Sequence, residues 1–254
     1  MQFRSYVAIG DSFTEGVGDE QPDGSVRGWA DFVAIGLALA ARERDGADAE
    51  FTYANLAIRG RLLGPIFDEQ LRPAIDMKPD LISFNGGGND IMRPKVTIEQ
   101  IADRTREAVD EILGHGIHVL LLSGGNPTRH SPLGDRIRER GDALAVAVRE
   151  RLPEQGVTFV DNWSDAELEN LRYWSVDKLH LGPLGHRRVA GNVLRGLGVA
   201  VPDWGEDADE LKRPGTLVYW RDFVLPWIGR RLTGRSSGDG RLPKRPTLAP
   251  VEPT

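Results

Sequence analysis

A serine, a glycine, an asparagine, an aspartate and a histidine, at Ser12, Gly60, Asn89, Asp177 and His180 of a 254-residue chain, are the residues whose types and spacing could do chemistry together. The apolar run from Tyr6 breaks into Gly10-Asp11-Ser12, a turn that presents a hydroxyl at the carboxyl end of a strand. A serine hydroxyl is a weak nucleophile near neutral pH and needs a base to take its proton as it attacks. In Asp177-Lys-Leu-His180 a carboxylate lies three residues before an imidazole. One turn of chain brings it to Nδ1, which fixes the tautomer whose Nε2 accepts a proton and stabilises the imidazolium that forms. Attack on an acyl carbonyl places negative charge on oxygen, which preorganised donors must meet. The backbone N–H following the first strand, the N–H of Gly60 and the side-chain amide of Asn89 are donors of the right kind.

Each residue also has a plainer reading. Gly-Asp-Ser is a common turn, Gly60 and Gly86–Gly88 suit turns, Asn89 suits a helix N-cap, Asp177 could cap the turn before the helix from Pro183, and His180 could be a loop histidine. Asp11 and Asp90 read as acceptors for loop backbone N–H groups. Arg59 and Arg61 read as solvated side chains, with contact to an anionic substrate group as the alternative. His186 falls inside a helical run and reads as structural. His115 and His118 lie at the opposite end of the sheet, and His130 follows the fourth strand.

The elements that must position these groups are legible as alternating patterns. Strand-length apolar runs occur at Tyr6–Gly10, Phe51–Ala57, Leu81–Asn85, His118–Ser123 and Val157–Asp161, and helical patterns cover about 28–44, 65–77, 97–114, 135–151 and 183–197. The strand runs are uninterrupted, as burial on both faces of a parallel sheet requires. Repeated strand–helix units predict an α/β fold with right-handed crossovers. With the flavodoxin-like strand order 2-1-3-4-5, Ser12 after strand one and Asn89 after strand three flank the switch point where ligands bind, and Gly60 follows strand two.

These blocks, Gly10-Asp11-Ser12-Phe13, Asn55-Leu-Ala-Ile-Arg-Gly60, Gly87-Gly88-Asn89-Asp90 and Asp177-Lys-Leu-His180, in this order, resemble the GDSL or SGNH hydrolase superfamily of esterases, lipases and acylhydrolases. Phenylalanine at position 13 stands where leucine is usual. The resemblance covers roughly residues 5 to 197. It implies a three-layer α/β/α sandwich with a five-stranded parallel sheet, and Ser12 as both nucleophile and oxyanion-hole donor. It also implies Gly60 and Asn89 as the other donors, and Asp177 and His180 as orienter and base. The expected activity is carboxylic ester hydrolysis through an acyl-enzyme, without a cofactor. Acyl transfer to an alcohol by the same residues, and a non-catalytic carbohydrate- or lipid-binding module on the same fold, are the alternatives. The Gly-x-Ser-x-Gly elbow of α/β-hydrolases is absent.

Composition narrows the field. There is no cysteine, which excludes disulfides and thiolate chemistry, and no His/Asp/Glu spacing reads as a metal site. The net charge is −6, but residues 212–254 hold nine Lys/Arg against three Asp/Glu, so the tail is +6 and the remainder −12. An acidic body argues against nucleic acid as the partner. An acyl ester of a small molecule, lipid or carbohydrate is expected instead. No secretory leader or membrane span is readable, so a cytoplasmic location is expected.

Two parts are expected: a hydrolase domain over residues 1–200, and an extension over 201–254 that carries Trp204, Trp220 and Trp227. The extension is expected to pack on the domain, with a lid over the site or contact with an anionic membrane as alternatives. From Arg235 to Pro250 the Pro, Gly, Ser and basic composition is that of a disordered tail.

Overall fold

A computed structural model describes residues 2–130, 134–205, 213–226, 229, 233 and 236–252. Five strands, β1 (Ser5–Ile9), β2 (Thr52–Asn55), β3 (Leu81–Phe84), β4 (His118–Leu122) and β5 (Val157–Val160), run parallel in the order β2-β1-β3-β4-β5. Central β1 shows why its sequence lacks alternation: Tyr6, Val7, Ala8 and Ile9 are all fully buried. Tyr6 and Ala8 join the core on one face, Val7 and Ile9 the core on the other.

The first core is completed by α2 (Trp29–Asp45) and α7 (Pro183–Gly196), which pack on each other through Trp29, Phe32, Val33, Val189, Val193 and Leu194. Between them His186 is fully buried; its Nδ1 accepts from the Trp29 N–H and its Nε2 donates to the Val17 carbonyl. Burial pulls its pKa down to about 3, so it is a neutral strut, in keeping with the structural reading.

The second core is covered by α5 (Ile98–Gly114), α6 (Gly134–Arg151) and a helical stretch made of α3 (Leu63–Ile66), a wider π turn (Phe67–Leu71) and α4 (Arg72–Asp76). Helix α5 begins at a reciprocal cap, Gln100 N–H to the Thr97 hydroxyl and Thr97 N–H to the Gln100 side chain. The result is the three-layer α/β/α sandwich.

Two expectations need correction. The sheet has six strands, because β6 (Arg245–Pro250) adds antiparallel to the outer edge of β2. The segment read as disordered tail therefore belongs, from residue 245, to the sheet. Proline cannot donate to a ladder, so its abundance argued against a strand, but an edge strand tolerates it where the missing N–H would face outward. Ala249 pairs with Tyr53, Arg245 with Asn55, and Val251 N–H closes the end on the Phe51 carbonyl.

The rest of the extension touches the domain at separate points. Trp204 packs on Phe32, and α8 (Thr216–Tyr219) docks by Tyr219 while Leu217 stays 87% exposed. Trp227 and Arg235 lie outside the described residues.

Candidate active site

Ser12 opens a short helix just after β1, Gly60 and Asn89 lie in the segments that follow β2 and β3, and Asp177 and His180 lie in the turn before α7. At the end of β1, both backbone groups of Gly10 are bound by one buried side chain: Gly10 N–H donates to Gln70 Oε1 (2.8 Å), and Gln70 Nε2 donates to the Gly10 carbonyl (3.0 Å). The π turn (Phe67–Leu71) carries Gln70; such widened turns recur at functional sites. Asp11 then caps the short helix α1 (Ser12–Glu15), accepting the Phe13 N–H at 3.0 Å. As the first residue of that helix, Ser12 has an N–H with no intrahelical acceptor. Buried Asn55 donates to the Thr14 carbonyl (3.0 Å) and holds the far end of α1.

The base side comes from the turn before α7. Trp174 and Leu181 form an antiparallel bridge, and Ser175 N–H bonds to the His180 carbonyl (2.8 Å). Inside that small loop, Asp177 Oδ1 accepts from the Ser175 hydroxyl (2.6 Å) and from the N–H groups of Leu179 and His180 (both 2.9 Å). The remaining oxygen, Oδ2, meets His180 Nδ1 at 2.6 Å, and His180 Nε2 lies 3.1 Å from Ser12 Oγ. Lys178, within the turn, has φ of 58°, a left-handed conformation that costs a non-glycine residue roughly 1–2 kcal/mol.

Electrostatics follow from these contacts. Burial opposes ionisation of Asp177, yet the neighbouring His180 charge, the hydrogen bonds from His180 and that from Ser175 hold the carboxyl well below the usual range. Burial likewise acts to lower the His180 pKa, but the charge and hydrogen bond of Asp177, with Asp11 behind, outweigh it and leave the ring above its ordinary 6.5. Burial pushes Asp11 up to about 6.

The donor side is built from the β2 and β3 loops. Gly60 has φ of +74°, which a side chain would strain, and a Cβ there would collide with the Ser236 hydroxyl. Asn89 Nδ2 donates to the Arg61 carbonyl and to Asp11 Oδ2, both at 3.0 Å, tying the loop of Gly60 to the turn of Ser12. Asp90 Oδ2 accepts the Leu63 N–H (3.0 Å), the backbone role expected of it. Arg59 is not a solvated side chain. It is largely buried against Glu15 of α1, with Nη2–Oε1 at 2.5 Å and its own N–H on Oε2 at 2.6 Å. Arg61 pairs with Glu69 at 2.7 Å.

Sequence reasoning missed Gln70, Glu15 and Asn55 as holders of the serine turn. Their polarity within otherwise apolar or helical surroundings was the only available signal. His130 bonds through Nε2 to the Glu169 carbonyl, and His118 to the Thr158 hydroxyl at the other end of the sheet.

A cleft of about 180 Å³ opens beside Ser12 and His180 and runs between the sheet and α6. Its inner wall is apolar, from Phe84, Ile91, Leu121, Leu144, Val148 and Phe159. Among the described residues, no group of three or more His, Cys, Asp or Glu side chains is placed to hold a metal ion, and no helix is long and apolar enough to cross a membrane.

A hydroxyl in reach of an imidazole, itself bound to an anionic carboxylate beside an apolar cleft, is the equipment of an acyl hydrolase. The sequence profile of the GDSL-like Lipase/Acylhydrolase family matches residues 8–188, and the chain belongs to that family. Among solved structures it is similar to a variant of an acetyl-xylooligosaccharide esterase from Geobacillus stearothermophilus, with 20% identity, a TM-score of 0.63, and coverage of 82% of this chain and 100% of that one. It is also similar to a lipase from a goat rumen metagenome (18% identity, TM-score 0.58, 76% and 96% covered). A lipase/acylhydrolase from Enterococcus faecalis gives 17% identity, a TM-score of 0.57, and coverage of 78% of this chain and 98% of that one. At these identities the likeness is one of fold. None of the curated proteins matches the chain. Family and fold together support ester hydrolysis.

Proposed function

We propose that the protein is a serine esterase that works through an acyl-enzyme, with Ser12 as nucleophile, His180 as general base and then acid, and Asp177 as the group that orients His180. The observation that carries this reading is the continuous line Ser12 Oγ, His180 Nε2, His180 Nδ1, Asp177 Oδ2, at 3.1 and 2.6 Å. As Oγ bonds to the acyl carbon its proton passes to Nε2, and the imidazolium is stabilised by the Asp177 carboxylate. The proton then goes to the leaving alcohol, and water repeats the sequence to release the acid.

The Ser12 and Gly60 N–H groups and the Asn89 amide meet the developing oxyanion. Asn89 has both N–H groups engaged in the resting site, so it contributes by moving one from the Asp11 carboxylate to the substrate oxygen. Losing one such donor typically costs about 10²–10³ in kcat.

The acyl portion lies in the apolar cleft. Each methylene buried there is worth about 0.8 kcal/mol, roughly a fourfold gain in kcat/KM, until the cleft is full. The test has two arms. A fluorophosphonate probe is expected to label Ser12 and to fail on Ser12→Ala; labelling that persists in the variant removes the serine mechanism. p-Nitrophenyl octanoate is expected to be preferred over the acetate, and equal kcat/KM for both removes the acyl site while leaving the mechanism standing. Adding an alcohol during turnover and measuring ester product separates hydrolysis from transfer.

A further inference from the structure

The family profile ends at residue 188, yet groups from beyond residue 212 touch both loops that the proposed chemistry uses. On the donor side, the turn at 236–239 is held by its own bonds, Ser236 N–H to Asp239 Oδ2 (2.9 Å) and Gly238 N–H to the Ser236 hydroxyl (3.1 Å). It is pressed against the peptide unit that joins Arg59 to Gly60. Gly238 lies so near the Arg59 carbonyl that a Cβ would overlap it, and the Ser236 hydroxyl occupies the place a Gly60 side chain would take, with its Oγ 3.4 Å from the Arg59 oxygen.

In a trans peptide the carbonyl and the N–H point to opposite sides. A wall behind the Arg59 oxygen therefore fixes the direction of the Gly60 N–H. Glycine at φ +74° is the kind of residue that allows a peptide to rotate, so the wall has something to prevent.

On the base side, the Arg213 guanidinium donates to the carbonyls of Leu171 (2.7 Å), Trp174 (2.8 Å) and Ser175 (2.8 Å), the residues that lead into Asp177. The Tyr219 hydroxyl donates to the Asp177 carbonyl at 3.1 Å, and its ring lies 4.6 Å from the Lys178 ammonium, beside the one left-handed residue of that turn.

We infer that the C-terminal extension is a positioning element of the active site: the turn at 236–239 locks the Arg59–Gly60 peptide with its N–H turned toward the substrate oxygen, while Arg213 and Tyr219 hold the turn that carries Asp177 and His180. This rests on the serine-esterase reading above. None of these extension residues touches the reacting atoms; each acts through another group.

Full-length variants test it by separating kcat from KM. Gly238→Val forces the Arg59 carbonyl aside and is expected to lower kcat roughly 10²-fold, the cost of losing one oxyanion donor, with KM little changed. Ser236→Ala loosens the wall and is expected to lower kcat about 3- to 10-fold, and Ser236→Thr, which keeps the hydroxyl, is expected to restore it. Tyr219→Phe is expected to lower kcat a few-fold, about as far as one neutral hydrogen bond allows. Affinity for an alkyl trifluoromethyl ketone, whose adduct with serine carries the oxyanion, should fall in step with kcat across positions 236 and 238.

Thermal melting separates positioning from folding. Losses in Ser236→Ala that track a lower melting temperature, or that appear in KM, or that Ser236→Thr does not repair, overturn the inference. So does a Ser236→Ala enzyme with wild-type kcat and inhibitor affinity while Ser12→Ala is dead, a result that leaves the serine reading intact. Turnover that survives Ser12→Ala instead removes the serine reading and this inference with it.

Discussion

The turn that carries Ser12 is gripped mainly by buried side chains of the domain, with Lys244 of the extension added at the Glu15 carbonyl (2.6 Å), whereas the turn that carries Asp177 and His180 is held by its own short bonds and by groups from the end of the chain. Gln70 and Asn55, both almost fully buried, clamp Gly10 and Thr14 on either side of Ser12, and Glu15 ties the same helix to Arg59. Across the site, Asp177 is satisfied by Ser175, Leu179 and His180, its close neighbours in sequence, and is backed by Tyr219. Buried polar contacts in low dielectric are costly to break, so the nucleophile's position is tied to global stability. The base turn is a local structure that changes at the surface can reach.

The contrast can be broken at several points. Ser12→Ala should have the largest effect, a loss on the order of 10⁴–10⁶ in p-nitrophenyl ester turnover, with an unchanged circular dichroism spectrum. Asn89→Ala should lower kcat by about 10²–10³; steady-state kinetics in which only KM rises would remove it from the oxyanion site. Gln70→Ala leaves the Gly10 N–H unpaired in the core, while the Gly10 carbonyl keeps the Ile58 N–H at 3.2 Å, and should cost roughly 1–3 kcal/mol in urea unfolding, with activity falling alongside. A variant that loses activity at full stability would show that the two halves are not distinguished in this way.

The pH response sharpens the same comparison. His180 must be neutral to accept the serine proton, and its pKa lies above 6.5, so kcat/KM should drop toward tenfold per pH unit on acidification from above that value. Stability has the opposite sign for this group. A raised folded-state pKa gives a contribution that is full below the unfolded value and is lost as pH rises through the folded one. A flat rate profile between pH 5 and 8 would contradict the role of His180. The smallest effect expected is at the exposed pair Arg42–Glu252, 3.2 Å apart, where Arg42→Ala should change stability by less than about 1 kcal/mol in the same urea assay.

How much could be read in the sequence depended on the range of the physics involved. Uninterrupted apolar runs marked β1 to β5 because both faces of a parallel sheet are buried, and the observed β1 confirms the reason residue by residue. The Asp177–His180 contact was legible because three residues of spacing nearly determine it. Gln70, Glu15 and Arg59 were not, since each finds its partner only after the sheet has assembled; Arg59 and Glu15 are 44 positions apart. Strand β6 was hidden by its prolines, and the contact of Gly238 with Arg59 leaves no trace in composition or periodicity.

That sixth strand has a consequence for the behaviour of the protein in a crowded solution. Without it, β2 would end the sheet with an open row of amide and carbonyl groups, a template for pairing with another molecule. With it, the outermost strand carries Pro246 and Pro250, which offer no N–H to an incoming chain. A chain cut before residue 245 is therefore expected to precipitate or form fibrillar oligomers, visible by light scattering and thioflavin fluorescence, well before its core melts.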